Sequence, residues 1–340
     1  MTGVYIEAIE YVLPAMVVTN ADLARDNPTW DMGRLVERTG VEERHIAAPD
    51  ETALDLGYRA CLALQNNQAM GEIDALIFCT ETPDYPLPPN ACVLHEKLRL
   101  PTKVMAFDIT LACSGFVYAL GIARSLVLSR TARRVLIVTG DTYSRLIHPA
   151  DRASRCLFGD GAAATVVGAG PAGLEVLDIS FATSGRQHDR FIVRAGGARH
   201  PHSPETMTPV VDRSGNVRTA EHIEMDGFGI LSFFNNAIPQ AILDLLSRNG
   251  LSTNDVGCFV FHQASRLALD GIARTLKIPA ECLVFDMKTI GNLVSASIPV
   301  ALRRAQDAGR IIPGRYVVLC GFGVGLSWAT ALVKMADQRD

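Results

Sequence analysis

Apolar residues along the chain form short β-branched runs that alternate with longer stretches of helical spacing. Near-continuous apolar strands separated by helices are typical of a largely parallel sheet that is covered on both faces. The runs that predict strands are 74–80, 104–108, 135–139, 162–167, 258–262, 283–286 and 316–320. The stretches that predict helices are 52–66, 115–129, 237–248, 266–276 and 294–308.

Two parts of the chain repeat one order of features. The first passes from Cys113 through a predicted helix and a basic turn to a strand, and the second does the same from Asn292. An internal duplication of one α/β unit accounts for this order. We therefore predict an N-terminal half at 1–172 and a C-terminal half at 173–340, joined near 171–173 and fused into one core.

Composition and charge exclude several classes of protein. The chain has 340 residues, of which 48% are hydrophobic and 20% are charged, and its net charge is −4. Disorder requires low hydrophobicity and high net charge, so a disordered chain is excluded. A general nucleic-acid binder needs a basic excess, which this chain lacks.

Neither end of the chain predicts a membrane segment. The first residues lack the basic start and apolar stretch of a signal peptide. The uncharged stretch 316–333 is long enough to consider as a span, but its glycines and β-branched residues favour two short buried strands joined by a turn. We expect a soluble protein.

The eight cysteines contain no C-x-x-C pair, and most lie inside apolar runs. This usage predicts reduced core cysteines in a cytosolic compartment, without disulfides or a zinc site. The histidines at 188, 200, 202 and 222 fall in the stretch 185–222, which has no clear periodicity. We interpret that stretch as a long loop over the site or a surface excursion, rather than as a metal centre.

Three residues sit where a predicted strand gives way to a turn or helix, the edge at which open α/β sheets bind ligands. Cys113 lies at a helix start, where free N–H groups favour a thiolate. Taken alone, a histidine at the position of His262 is more often structural than catalytic, and an asparagine at the position of Asn292 is more often a helix cap. Together the three predict a cysteine nucleophile with His and Asn as donors to a developing oxyanion.

Several motifs then resemble one family, the β-ketoacyl-acyl-carrier-protein synthase III family of the thiolase superfamily. The resemblance runs from about residue 3 to residue 335. The matching segments are Phe107–Leu120, Phe158–Ala162, His262–Ala264, Gly291–Asn292 with Ser295–Ser297, and Gly321–Trp328, with earlier matches at Leu13–Pro14, Thr19–Asn20 and Arg38–Ile46.

The resemblance implies the α/β thiolase fold, in which duplicated halves form a five-layered αβαβα core. It also implies that Cys113 takes an acyl group from an acyl-CoA and that malonyl on acyl carrier protein then loses carbon dioxide and attacks it. His262 and Asn292 would polarise the malonyl thioester, and the N–H groups of Cys113 and the turn at Val324 would hold the acyl oxyanion. CoA is part of the substrate, no cofactor is implied, and a cytoplasmic homodimer is expected.

The resemblance assigns further residues to the substrates. Arg152 matches an arginine that contacts CoA. The family's tryptophan against the CoA adenine is replaced by Arg34, with Trp30 displaced nearby. Leu87 matches the residue that reaches across the dimer to floor the acyl pocket, and an aliphatic side chain there suggests a primer longer than acetyl.

The carrier-protein surface departs from the family pattern, because Ser232 stands where a lysine is usual. Arg266, Arg274 and Lys277 lie roughly on one face of a predicted helix and could meet an acidic carrier protein. A solvated helix face explains these residues equally well. These departures favour a specialised fatty-acid or polyketide pathway over acetyl priming.

Three alternatives remain open. The acyl group on Cys113 could pass to a non-malonyl nucleophile in secondary metabolism, although Asn292 favours condensation. A catalytically silent subunit that binds acyl carrier protein is disfavoured by the intact set of Cys113, His262 and Asn292. A simple hydrolase is disfavoured because a condensing enzyme must protect its acyl-enzyme from water.

Overall fold

The computed structural model describes residues 3–170 and 172–336. The strands are β1 (Tyr5–Val12), β2 (Met16–Thr19), β3 (Glu43–Ile46), β4 (Ala75–Cys79), β5 (Met105–Ile109), β6 (Arg134–Asp141), β7 (Gly161–Gly168), β8 (Leu174–Thr183), β9 (Phe191–Ile192), β10 (Val210–Val211), β11 (Val217–Arg218), β12 (Glu224–Met225), β13 (Val256–Phe261), β14 (Tyr316–Gly323) and β15 (Ser327–Met335). The α-helices are α1 (Asn20–Asp26), α2 (Met32–Thr39), α3 (Ala53–Asn66), α4 (Asn90–Lys97), α5 (Gly115–Leu128), α6 (Arg152–Arg155), α7 (Gly227–Arg248), α8 (Arg266–Leu276) and α9 (Ser297–Asp307).

Local side-chain chemistry sets several helix boundaries. Thr52 and Asp55 form a capping box at the start of α3, and the Ser265 hydroxyl accepts the Ala268 N–H at 3.2 Å at the start of α8. Gly40 ends α2 in the left-handed conformation, at φ +76°. These caps satisfy backbone groups that each helix end would otherwise leave unpaired.

Nine strands form one mixed sheet in the order β13-β14-β15-β8-β1-β7-β6-β4-β5. β4 runs parallel to β5 and β6, and β13 runs parallel to β14, whereas the pairs along the path β6-β7-β1-β8-β15-β14 are antiparallel. The prediction of a largely parallel sheet is therefore wrong. Apolar runs indicate that both faces of a strand are buried, but they do not determine its direction.

The sheet contains the same arrangement twice. Read from its outer edge inward, the N-terminal half has the strand order β5-β4-β6-β7-β1. The C-terminal half, read in the same way, has a bridge at Leu283 and then β13-β14-β15-β8, with the same strand directions. The predicted strand 283–286 is thus reduced to one bridge, Phe259 with Leu283. The halves join where β1 pairs with β8. The boundary at 172/173 stays a prediction, and Pro171 lies outside the described residues.

Helices α5 and α9 form the middle layer between the two halves of the sheet. α5 packs on β6 and β14, and α9 packs on β1 and β13, so each helix contacts both halves. Helices α3 and α4 cover the outer face of one half, and α7 with α8 covers that of the other. Alternate residues of β4 face opposite layers: Ile77 joins the central cluster and Phe78 the outer one. This stacking confirms the five-layered αβαβα core.

Two predictions about less regular segments can be compared with the structure. The stretch 185–222 contains only a short turn of helix and strands of two residues. It passes over the cavity described below, where Ser214 and Asn216 contribute to the lining. The loop-over-the-site interpretation is therefore correct. Helix α7 starts at Gly227, ten residues before the predicted start at 237.

The uncharged stretch 316–333 forms the paired strands β14 and β15 with a tight turn between them, as predicted. Across the described residues, no helix has the length and apolar character that a membrane crossing requires.

Candidate active site

Three predicted side chains meet at the floor of one cavity of about 560 Å³. Cys113 lies between β5 and α5, His262 directly follows β13, and Asn292 follows the bridge at Leu283 that corresponds to β5. The duplication thus brings the carboxyl ends of corresponding strands together from both halves. The site lies where open α/β sheets bind ligands.

Glycines of β14 allow Cys113 to lie directly against that strand. A Cβ atom on Gly323 would come within 2.6 Å of the Cys113 Cβ and 2.8 Å of its Sγ. A Cβ on Gly321 would lie 2.7 Å from the Cys113 carbonyl oxygen. The Ser114 and Ser327 hydroxyls, 2.8 Å apart, connect the cysteine loop to β15. The two halves therefore fix the position of the cysteine between them.

Burial disfavours the thiolate form of Cys113 in the unloaded site. Burial raises its pKa well above the usual value, and the nearby carboxyl groups of Glu81 and Asp141 raise it further. Hydrogen bonds from the N–H groups of Cys113 and Val324 act in the opposite direction but do not compensate. Desolvation therefore opposes the thiolate that the helix start was expected to favour.

His262 is a neutral donor or acceptor at neutral pH, because burial lowers the pKa of its imidazole to about 3. Its ring stands edge-on to Phe322, with the centroids 5.7 Å apart. Its backbone N–H donates to the Cys320 carbonyl at 2.8 Å, which ties the residue to β14. Within the described residues its Nδ1 has no hydrogen-bond partner.

The amide of Asn292 is oriented by contacts to its oxygen. Oδ1 accepts the Val294 N–H at 2.9 Å and the Ser297 hydroxyl at 3.3 Å. The Nδ2 group is consequently turned toward the cavity, where it lies 3.3 Å from Nε2 of His262. Although the residue precedes a helix, it is not simply a cap, since its N–H₂ group remains available to a ligand.

Three arginines surround the outer part of the cavity. Arg34, Arg38 and Arg152 belong to its lining, together with Asp31. The Arg152 guanidinium donates to the Ser214 carbonyl at 3.2 Å, and none of the three arginines forms an ion pair with a carboxylate in the part of the chain that the structure describes. Such a cluster suits phosphate groups.

The remaining predicted site residues lie outside this cavity or at its edge. Trp30 is not among the residues that line it, so its assignment to CoA rests on the resemblance alone. Leu87 is 80% exposed on the surface of the single chain.

The face of α8 that was predicted to bind a carrier protein is exposed. Arg266, Arg274 and Lys277 are exposed on or just after α8, but Asp270 is exposed on the same face. That face is therefore less basic than the sequence analysis assumed.

A group of polar residues near Cys113 was not predicted from the sequence. Asp141 is buried, and it accepts the Glu81 N–H at 2.8 Å and the Ser295 hydroxyl at 2.5 Å. Burial raises its pKa to about 7. Tyr143 is buried and donates its hydroxyl to Glu81. The signal available in the sequence was the position of Glu81 and Asp141 just after or at the end of neighbouring strands.

Metal and disulfide chemistry find no support in the described residues. No group of three His, Cys, Asp or Glu side chains there could hold a metal ion. His202 instead contacts Glu221 at 2.9 Å, and His222 packs against His148. The eight cysteines are all unpaired.

Known proteins with the same architecture can now be compared. Residues 107–185 match the family described as 3-oxoacyl-[acyl-carrier-protein] synthase III, and residues 246–335 match its C-terminal region. A β-ketoacyl-[acyl-carrier-protein] synthase III of Desulfitobacterium hafniense is 34% identical over 340 residues, covering 99% of each chain.

Solved structures agree with these matches. A crystal structure of a 3-oxoacyl-(acyl-carrier-protein) synthase III superposes with a TM-score of 0.95 at 42% identity, covering 98% of this chain and 100% of the other. The priming β-ketosynthase of the R1128 polyketide pathway superposes with a TM-score of 0.84 at 28% identity, covering 99% of this chain and 97% of the other.

These matches and the five-layered core define a thiolase-fold enzyme of the acyltransferase class. Within that class, the chain belongs to the β-ketoacyl-acyl-carrier-protein synthase III family of condensing enzymes.

Proposed function

We propose that Cys113 takes an acyl group from an acyl-CoA and that this group is condensed with malonyl-acyl carrier protein, or malonyl-CoA, to a β-ketoacyl thioester. The observation that carries the proposal is the 3.3 Å approach of the His262 and Asn292 nitrogens at the floor of the cavity that holds Cys113. The Asn292 N–H₂ group is a donor, and the neutral imidazole of His262 becomes a second donor in the tautomer that carries its proton on Nε2. Two such donors suit a developing enolate oxygen, whereas a strong base would not.

In the first step, the Cys113 sulfur attacks the thioester carbonyl, and CoA leaves as its thiol after taking up the cysteine's proton. The N–H groups of Cys113 and Val324 are directed at the sulfur, and this supports their assignment as the oxyanion hole of that step. The arginines Arg34, Arg38 and Arg152 at the outer cavity would bind the phosphates of CoA.

In the second step, the malonyl thioester oxygen accepts hydrogen bonds from Nε2 of His262 and Nδ2 of Asn292. The carbon–carboxylate bond breaks, carbon dioxide leaves, and the electron pair forms an enolate. The enolate carbon attacks the acyl carbonyl on Cys113, and the cysteine thiolate leaves and is reprotonated. A resident cofactor has no part in these steps.

Surface features support our proposal for the partners of this reaction. We assign the exposed Arg274 and its neighbours on α8 to an acidic carrier protein. The position of β5 at the edge of the sheet and the exposed side chains of Tyr85 and Leu87 support a homodimer that covers them. Eight unpaired cysteines suit a reducing, cytoplasmic compartment. The changed carrier-protein surface supports a specialised fatty-acid or polyketide pathway.

The test separates the two steps. Intact-protein mass spectrometry after incubation with acyl-CoAs should show one acyl adduct, which Cys113→Ser removes and which the matched buried control Cys61→Ser keeps. Asn292→Ala should lower carbon dioxide release from malonyl-carrier protein by about 100-fold, with the rate of Cys113 acylation changed less than about threefold.

Failure can occur at either step. An adduct that persists in Cys113→Ser contradicts the nucleophile. An acyl adduct that forms without any carbon dioxide release from malonyl substrates favours the alternative, transfer to a non-malonyl nucleophile.

A further inference from the structure

A carboxyl group lies beside the reactive cysteine without a role in the steps above. Glu81 follows β4 and is mostly buried, and its Oε2 accepts the Tyr143 hydroxyl. Among the described residues, no hydrogen bond reaches Oε1, and this atom is not one of the fully buried unpaired atoms. One oxygen of Glu81 is therefore held in place, and the other remains open to a ligand.

Tyr143 connects this carboxyl group to the wall of the active-site cavity. Its ring centroid lies 5.5 Å from that of Phe158 and 6.5 Å from that of Phe191. Both phenylalanines line the cavity, and Cys113 belongs to the same packed cluster as Tyr143. The Glu81–Tyr143 pair is thus located behind the aromatic wall next to the cysteine.

The pair lies outside the cavity that holds His262 and Asn292. Neither Glu81 nor Tyr143 lines the cavity that runs from the arginines to His262 and Asn292. That cavity must hold the pantetheine arm and later the malonyl group. The acyl group on the sulfur needs separate room, and Tyr143, which holds the Glu81 carboxyl group, packs in one cluster with Cys113.

A carboxyl group is a poor neighbour for a plain alkyl chain. Its open oxygen would lose water without gaining a partner, and such an unpaired polar atom is unfavourable in a buried site. A hydroxyl on the acyl chain would donate to Oε1 and restore the lost hydrogen bond. Sites built around such a contact discriminate against analogues that lack the polar group.

Building on the proposed function, we infer that Glu81, held by Tyr143, selects an acyl primer that carries a hydroxyl group over an alkyl primer of equal length. Glu81 is then a specificity-determining residue on the acyl side of Cys113.

The test compares primers of constant length. The rate of Cys113 acylation is measured by intact-protein mass spectrometry with butyryl-CoA and with 2-, 3- and 4-hydroxybutyryl-CoA. At least one hydroxylated primer should acylate about tenfold faster than butyryl-CoA, which is the worth of one hydrogen bond. The position of the hydroxyl in that primer reports the distance from the sulfur to Oε1.

Variants assign the preference to Glu81. Glu81→Leu should remove the preference by speeding butyryl transfer or slowing hydroxybutyryl transfer, and Glu81→Gln should retain part of it, since the amide still bonds a hydroxyl. The control is Glu72→Leu, an exposed residue before the opposite end of β4. Thermal unfolding of each variant identifies any that fails to fold, and Glu81→Ala then serves in place of Glu81→Leu.

Three results would overturn the inference. Equal rates for butyryl-CoA and every hydroxylated primer contradict it while leaving the proposed function intact. A Glu81→Leu variant that slows all four primers equally would show that Glu81 acts on the thiol and not on the acyl chain. The absence of any adduct with every primer contradicts the proposed function together with this inference.

Discussion

The turn around Asn292 shows how strained backbone can serve a polar site. Val294 has φ +53°, a conformation that β-branched residues rarely adopt, and its N–H in that conformation donates to the Asn292 side chain. Gly291 on the other side has φ +74°, which costs a glycine little. The strain at Val294 is therefore associated with the contact that turns the Asn292 amide toward His262.

His262 makes a prediction about stability as a function of pH. Its folded-state pKa is about 3 and its unfolded value is near 6.5, so between these values the unfolded chain binds a proton that the folded chain does not. Stability from the neutral histidine is present above pH 6.5 and is lost as the pH falls. The free energy of unfolding of the wild type, relative to His262→Gln, should fall by about 2 kcal/mol from pH 7 to pH 5.

Urea denaturation at several pH values measures this difference. The control is His188→Gln, because His188 is an exposed histidine, and this variant should show the pH dependence of the wild type. A constant difference between wild type and His262→Gln across this range would mean that His262 binds its proton at the same pH in the folded protein as in the unfolded chain.

At the scale of elements, the sequence predicts the helices and strands that depend on periodic spacing and on contacts between residues close together in the chain. Helix α8 has the predicted bounds 266–276, because the Ser265 cap and the apolar spacing both act within one helix. The segment 283–286 has strand-like residues but forms one bridge, since pairing depends on a neighbour that the pattern does not reveal. Likewise, Cys113, His262 and Asn292 are recognisable by position, but the Glu81–Tyr143 contact joins residues 62 positions apart and shows no local pattern.

Helix α8 carries the prediction about carrier-protein binding. Arg274→Glu should raise the KM for malonyl-carrier protein about tenfold, because it places a like charge opposite an acidic partner. The kinetic constants with malonyl-CoA should stay unchanged, since this substrate lacks the carrier protein. Steady-state kinetics with both malonyl donors measure the effect.

The control for this charge reversal is Arg133→Glu. Arg133 is exposed just before the amino end of β6, and it is therefore remote from the site, which lies at the carboxyl ends of the strands. An unchanged KM in Arg274→Glu, or equal losses with both malonyl donors, would mean that the face of α8 is merely solvated. Asp270 gives that face a mixed charge, so the comparison of the two malonyl donors is the decisive measurement.

At the scale of the whole molecule, the duplication explains why the site is assembled from two halves. Cys113 comes from the first half, and His262 and Asn292 come from the second, with α5 and α9 packed between the sheets. Close contacts such as Gly323 against Cys113 join the halves at the reacting atoms. A change in the packing of either half should therefore alter the distance from Cys113 to His262 and Asn292. Such a change lowers the reaction rate, because the reacting groups must be held in a defined geometry.

The last prediction concerns a second copy of the chain. Leu87 is 80% exposed in one chain and lies six residues after Glu81. We therefore expect a partner subunit to cover the Leu87 side chain, which would reach the acyl pocket of that partner. Light scattering should give about twice the chain mass of 36.7 kDa.

Leu87→Phe should lower the ratio of hexanoyl-CoA to acetyl-CoA acylation rates about tenfold, because the larger ring shortens the pocket. Val211→Phe, at another exposed apolar position on the β10–β11 hairpin, should leave that ratio unchanged. A monomeric mass, or a ratio that Leu87→Phe does not change, would place Leu87 outside the acyl pocket.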